Sequence, residues 1–239
     1  MYILSADTST DINTVSILKD NDIVGEITIN AGKRHSERLI SLIQTILNEA
    51  QLTLNNINLL AISIGPGSFT GLRVGLSTWK GLALATGIPL IGVPTLYSMS
   101  RLAPFNNAVV CPVIDARMKE VYAGIFLFEK DKRTILIDNF LGSIETFTTK
   151  LTELVKDKEP NLYVYGNGAL MYREKIKEKF PWVNFGPEWW AHPRASTVGV
   201  EALEMWRNGY NKNLDEILPI YLRLSQPEEL RKKLSCQTQ

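Results

Sequence analysis

Residues 59 to 94 constrain the fold most tightly. Leu59 to Ile64 is an unbroken apolar run, and the turn Gly65-Pro66-Gly67-Ser68-Phe69-Thr70-Gly71 follows it directly. A helical stretch then runs from Leu72 to Thr86, and Gly87 with Pro89 gives the usual stop signal. Leu90 to Val93 is apolar again, and Thr95 opens another helix. A run that is apolar at every position has no wet face, so it reads as a strand covered on both sides. Strand, turn, helix and strand in this order are α/β grammar.

The flanking sequence extends the same pattern. Tyr2 to Ala6 reads as a strand ending at Asp7, and the polar cluster Thr8-Ser9-Thr10-Asp11 turns the chain. Thr14 to Leu18 and Ile23 to Ile29 form a hairpin about Lys19-Asp20-Asn21-Asp22. Glu37 to Ala50 is helical: Leu39, Ile43, Ile46, Leu47 and Ala50 share one face, while Ile40 and Leu42 widen it. After Pro104 the pattern restarts with a strand, Ala108 to Ile114, that again ends in an aspartate, Asp115. Glu120 to Phe128 and Arg133 to Phe140 are strands, and Ser143 caps a helix to Lys156. Leu162 to Tyr165 is a short strand leading into Gly166-Asn167-Gly168-Ala169, and a helix from Ser196 or Thr197 runs to Trp206. The repeat implies two related domains with a cleft between them, expected at 1–103 and 104–224, with a charged tail at 225–239.

Composition removes several function classes. A net charge of +1 over 239 residues argues against binding nucleic acid by neutralising many phosphates. Cys111 and Cys236 form no Cys-x-x-Cys pair, so neither a disulfide framework nor a zinc knuckle is expected. The tract from Leu72 to Val93 is broken by Arg73, Lys80, four glycines and Pro89 and does not read as a membrane span. The N-terminus carries no leader pattern, and a soluble cytoplasmic protein is expected.

The chemistry-bearing residues are few. The glycine turn lacks the lysine of a Walker loop, because Gly71 precedes Leu72 and the next cation is Arg73. It also misses the dinucleotide pattern, since Thr70 stands where the third glycine belongs. Gly65 and Gly67 allow a tight turn, Ser68 or Thr70 caps the following helix, and the helix start attracts an anion. A turn that binds nothing fits these residues as well. His35, beside Lys33 and Arg34, and His192, in Trp189-Trp190-Ala191-His192-Pro193, belong to no metal-binding pair. No serine or cysteine has a base assigned by motif, which leaves a triad or a peptidase without support. Asp7 and Asp115 either face a cleft and hold a hydrated metal or cap the turns that follow them.

Taken together, Leu4 to Thr10, Ser63 to Gly75, Gly92-Val93-Pro94-Thr95-Leu96, Asp115-Ala116-Arg117 with Glu120-Val121-Tyr122, and Tyr221-Leu222-Arg223 resemble the bacterial TsaB family, also called YeaZ. The resemblance implies an α/β fold of two actin-like domains, of the sugar-kinase and heat-shock-chaperone ATPase type, with a degenerate nucleotide cleft. It implies a non-catalytic partner of TsaD, the subunit that transfers a threonylcarbamoyl group to the adenosine next to the anticodon, with the small ATPase TsaE joining the pair. TsaD has a metal-binding His-x-x-x-His where this chain has Thr95 and Met99, side chains that cannot replace two imidazoles. No cofactor and no metal are therefore expected here.

A vestigial nucleotide or anion site is expected at Asp7, Gly65, Gly67, Ser68, Asp115, Gly166 and Gly168. Ala116, Arg117 and Met118 would crowd a phosphate, whereas the Gly166 loop resembles one that supports adenosine. Both glycine-turn flanking helices are apolar over wide arcs, and Gly71, Gly75 and Ala83 would let another helix approach. Either both faces are buried inside one large domain or, as the resemblance implies, the two helices bundle with those of TsaD, or of a second copy when TsaD is absent, and Leu39, Leu42, Ile43, Ile46, Leu72, Leu76 and Trp79 are then the expected contacts. Any tRNA contact is expected to be indirect, through the complex. The alternative is a self-sufficient ATP-dependent transferase of the actin-like superfamily, and a homodimeric chaperone-like module is a further rival.

Overall fold

The computed structural model describes residues 1–223 apart from 31–34, 104–105, 131 and 156–159. Lys33, Arg34 and the tail 225–239 lie outside the described residues. The alternating start of the chain folds as an antiparallel meander of β1 (Tyr2–Asp7), β2 (Ile12–Lys19) and β3 (Asp22–Asn30). Next come α1 (His35–Glu49), β4 (Leu59–Gly65), α2 (Phe69–Thr86), β5 (Leu90–Pro94) and α3 (Thr95–Ser100). The unbroken apolar run is β4, buried at every residue and parallel to both β1 and β5. Helix α2 begins at Phe69, three residues earlier than expected, because Ser68 rather than Thr70 is its cap: its hydroxyl accepts from the Gly71 N–H at 3.3 Å. It ends as expected at Gly87, in the left-handed region at φ 72°.

The second half contains β6 (Ala108–Asp115), β7 (Glu120–Glu129), β8 (Lys132–Ser143), α4 (Ile144–Leu154) and β9 (Asn161–Tyr165). It continues with α5 (Asn167–Met171), α6 (Arg173–Lys179), β10 (Asn184–Phe185) and α7 (Ala195–Arg207). The sheets have strand orders β3-β2-β1-β4-β5 and β8-β7-β6-β9-β10. Each has a central strand with an antiparallel hairpin on one side and parallel strands on the other, one arrangement used twice.

The chain does not divide at 103. The two sheets are separate, but α7 leaves the second and packs on the first, where Val198, Ala202 and Leu203 bury against Ile3, Leu18, Leu59, Ala61, Ile91 and Val93. The physical reason is that β1 and β4 are apolar on both faces: α1 and α2 cover one, and the other stays wet unless α7 returns. The halves are further tied by a buried ion cluster. Glu201 on α7, 2% exposed, accepts from Arg133 on β8 at 2.6 and 2.9 Å and from Arg101 just after α3.

The apolar arcs of α1 and α2 are core. Leu39, Leu42, Ile43, Ile46, Leu76 and Trp79 join Leu4, Ala6, Val15, Ile17, Leu60 and Ile62 in one cluster, and Leu72 is 1% exposed. As direct contacts for a partner, all seven expected residues are therefore corrected. The arcs are wide because each helix packs on both the sheet and the other helix, which uses more than one apolar stripe. Trp79 is fully buried, so its truncation would open a cavity in this chain's own core rather than probe an interface. No helix among the described residues is long and apolar enough to cross a membrane.

Candidate functional site: the cleft between the sheets

The β1–β2 turn, the start of α2, the β6–β7 turn and the segment 220–223 enclose a cavity of about 640 Å³. Of the residues expected to form an anion site, Gly67, Ser68 and Asp115 line it, whereas Asp7, Gly65, Gly166 and Gly168 do not. The glycines explain why. A Cβ on Gly67 would lie 2.4 Å from the Ser9 carbonyl oxygen, one on Gly71 2.0 Å from that of Thr8, and one on Gly75 2.3 Å from Thr8 Oγ1. The turn's missing side chains make room for the chain's own β1–β2 turn. The Ser68 N–H donates to the Ser9 carbonyl at 2.7 Å, and Thr8 Oγ1 donates to the Gly71 carbonyl at 2.8 Å. Gly71 and Gly75 thus do not admit a partner helix, and Ala83 is 3% exposed.

The second glycine loop is built the same way. Gly166 adopts φ 110°, with its Cβ position 2.1 Å from the Val113 carbonyl oxygen, and Gly168 abuts the Ile114–Asp115 peptide. Both glycines seat the start of α5 on the end of β6. Between them, Asn167 Oδ1 accepts from the Asp115 N–H at 2.9 Å.

Asp7 is a turn residue rather than a cleft residue. Its Oδ1 accepts from the Ser9 N–H at 2.9 Å and from the Ser9 hydroxyl at 2.8 Å, an Asx turn that leaves it 1% exposed. Burial pushes its pKa above the ordinary 3.8, with Ser63 and Ser9 opposing. The folded state therefore binds the proton more tightly than the unfolded chain, so this group's stability is fully present below pH 3.8 and falls as pH rises through its folded value. Asp7→Asn keeps the acceptor for Ser9 and removes the ionisable group. Thermal melts should find it at least as stable as the parent at pH 7, with the advantage vanishing below pH 3.8. A large loss at pH 7 would mean that the carboxylate is needed ionised.

Arginines dominate the charged lining. The Arg73 guanidinium lies 3.8 Å from the centroid of the Phe69 ring, and its Nε donates to the Tyr221 hydroxyl at 3.0 Å. Arg117 bridges Asp11 at 3.4 Å and Asp115 at 3.3 Å, one aspartate from each half. Asp115 Oδ1 also accepts from the Arg117 N–H at 2.8 Å, which caps the β6–β7 turn. At the start of α2 the Ser68 N–H donates to the Ser9 carbonyl and the Gly71 N–H to the Ser68 hydroxyl, so these two groups are already used within the chain. Thr95 and Met99 are fully buried on α3, and among the described residues no three His, Cys, Asp or Glu side chains come together as a metal site.

The family follows from comparison. A family model described as "TsaD: tRNA N6-adenosine threonylcarbamoyltransferase" matches residues 22–228. The chain is 40% identical over 229 residues to the tRNA threonylcarbamoyladenosine biosynthesis protein TsaB of Escherichia coli (strain K12), covering 93% of this chain and 95% of that one. The chain belongs to the TsaB (YeaZ) family. A solved protein described as similar to peptidase YEAZ from Pseudomonas aeruginosa superposes with a TM-score of 0.78 at 25% identity, covering 93% of this chain and 99% of that one. A ROK family protein from Streptococcus pneumoniae TIGR4 superposes with a TM-score of 0.51 at 11% identity, covering 87% and 99%. This second likeness concerns the fold alone and accords with the actin-like arrangement of the two sheets.

Sequence reasoning gave no role to Arg73 or to the segment 220–223, which together form one wall of the cleft. The signal was the short apolar tract Ile217-Leu218-Pro219-Ile220-Tyr221-Leu222, isolated beyond the last helix. It also missed Gly81.

Proposed function

We propose that the chain acts in tRNA threonylcarbamoyladenosine biosynthesis as a non-catalytic subunit that docks TsaD through the exposed faces of α1 and α2, with TsaE joining the pair. Alone, the same face would pair with a second copy. Any tRNA contact runs through the complex, and the chain contributes no cofactor or metal of its own.

The observation that carries this reading is Gly81. It lies inside α2, where glycine costs about 1 kcal/mol relative to alanine, yet a Cβ there would meet nothing within 4 Å among the described residues. None of the described residues requires that glycine, whereas a helix approaching closely from outside would. It lies on the exposed stripe of α2 with Arg73, Ser77 and Leu84, and Leu84 is 75% exposed. Ile40, 58% exposed, adds an outward apolar side chain on α1, which packs beside α2.

Gly81→Arg should melt at or above the parent temperature and still lose TsaD, and Leu84→Glu should bind about tenfold more weakly or worse. Calorimetric titration of cognate TsaD checks both, and unchanged affinity in both would remove the docking face. The size of the cleft, about 640 Å³, favours the second reading of a self-sufficient ATP-dependent transferase. Titration of the isolated chain with ATP and magnesium separates the two, since a working site binds at micromolar strength or better.

A further inference from the structure

We propose that residues 217–223 are an interdomain latch, which sets the width of the cleft in place of a bound ligand. Within seven residues this segment passes from one half of the molecule to the other. Ile217, 2% exposed, is packed in the first core, and the Ile220 N–H donates to the Ile64 carbonyl at 2.7 Å, at the end of β4. The Tyr221 ring sits 4.7 Å from that of Phe69, with its hydroxyl on Arg73. Leu222 then packs against the second sheet's cluster, and Arg223 donates to the Ala116 carbonyl at 3.1 Å and pairs with Glu120.

Two glycines keep the latch in place. A Cβ on Gly65 would lie 2.7 Å from the Ile220 carbonyl oxygen, and one on Gly92 would lie 2.7 Å from Ile217 Cγ2. The first glycine of the phosphate-like turn is thus needed for the C-terminal segment to lie across β4.

The far end holds a strained element. Arg117, Met118 and Lys119 adopt φ of 62°, 52° and 64°, three consecutive residues in the left-handed region without a glycine. Each such residue costs roughly 1–2 kcal/mol, so the turn persists only while its surroundings impose it. Those surroundings are Asp115, Asp11 and the latch arginine. Ile217 is buried, but at the other end of the segment Tyr221 is 41% exposed and Glu120, the partner of Arg223, is partly exposed, whereas Glu201, which also joins the halves, is 2% exposed. The exposed contacts therefore open first.

Hydrogen–deuterium exchange on the intact chain tests this without reference to TsaD. Arg223→Ala should speed exchange at 116–120 about tenfold, and Tyr221→Ala should do the same although its ring contacts lie on α2. Exchange in α4 and α7 should not change. The proposal is overturned if Tyr221→Ala affects only residues 64–73, which would make the segment two independent contacts. It is equally overturned if exchange rises evenly over both sheets, or nowhere.

Discussion

Gly71→Ala should destabilise the chain by about 3 kcal/mol or more, although alanine is the better helix former by about 1 kcal/mol. The added methyl would lie 2.0 Å from the Thr8 carbonyl oxygen and 3.2 Å from its carbon, and that atom belongs to backbone. Relief means lifting the first turn of α2 from the β1–β2 turn, which breaks the Thr8–Gly71 and Ser9–Ser68 hydrogen bonds. Gly81→Ala is the control: with no described residue within 4 Å of its Cβ position, the same substitution on the same helix should stabilise by about 1 kcal/mol. Urea unfolding of both variants reads out the difference. If Gly71→Ala is as stable as the parent, the turn is not an internal packing device and its glycines need another explanation.

Glu201→Ala should cost about 3 kcal/mol, because it leaves Arg133 without its carboxylate and Arg101 with only the exposed Glu204. Burial would raise the Glu201 pKa, but the Arg133 hydrogen bonds and the Arg101 charge outweigh it and hold the pKa below the ordinary 4.5. The ionised form therefore stabilises the fold above pH 4.5, and that contribution is lost as pH falls toward the depressed folded value. Glu201→Gln keeps an acceptor and loses the charge, so its deficit should be smaller than that of alanine and should shrink below pH 4.5. Denaturant midpoints measured across that range test the sign. A deficit independent of pH would show that the carboxylate contributes by shape alone.

Local pattern carried the element order well. The hairpin about Asp20, the buried β4, the stop at Gly87 and the Ser143 cap are each set by residues close in sequence. What the pattern could not carry is contact between distant segments. The arc of α1 looks wider than a core stripe requires until α2 and the sheet are both placed against it. Gly71 and Gly75 look like an invitation to a second helix until Thr8, more than sixty residues earlier, is found beneath them. The return of α7 to the first sheet and the crossing of Tyr221 and Arg223 leave no periodic trace, because each depends on where the other half of the molecule lies. Gly81 drew no notice in the sequence, because only its surroundings among the described residues separate it from Gly71 and Gly75.

The most direct measurement is threonylcarbamoyl transfer to tRNA, with this chain, TsaD and TsaE purified separately and combined. The account predicts no transfer by this chain alone, transfer when TsaD and TsaE are present with it, and loss of that gain when Gly81→Arg replaces the parent. Transfer by the isolated chain, or full activity with the Gly81→Arg variant, would show that its contribution is chemistry in the cleft or contact through some other face.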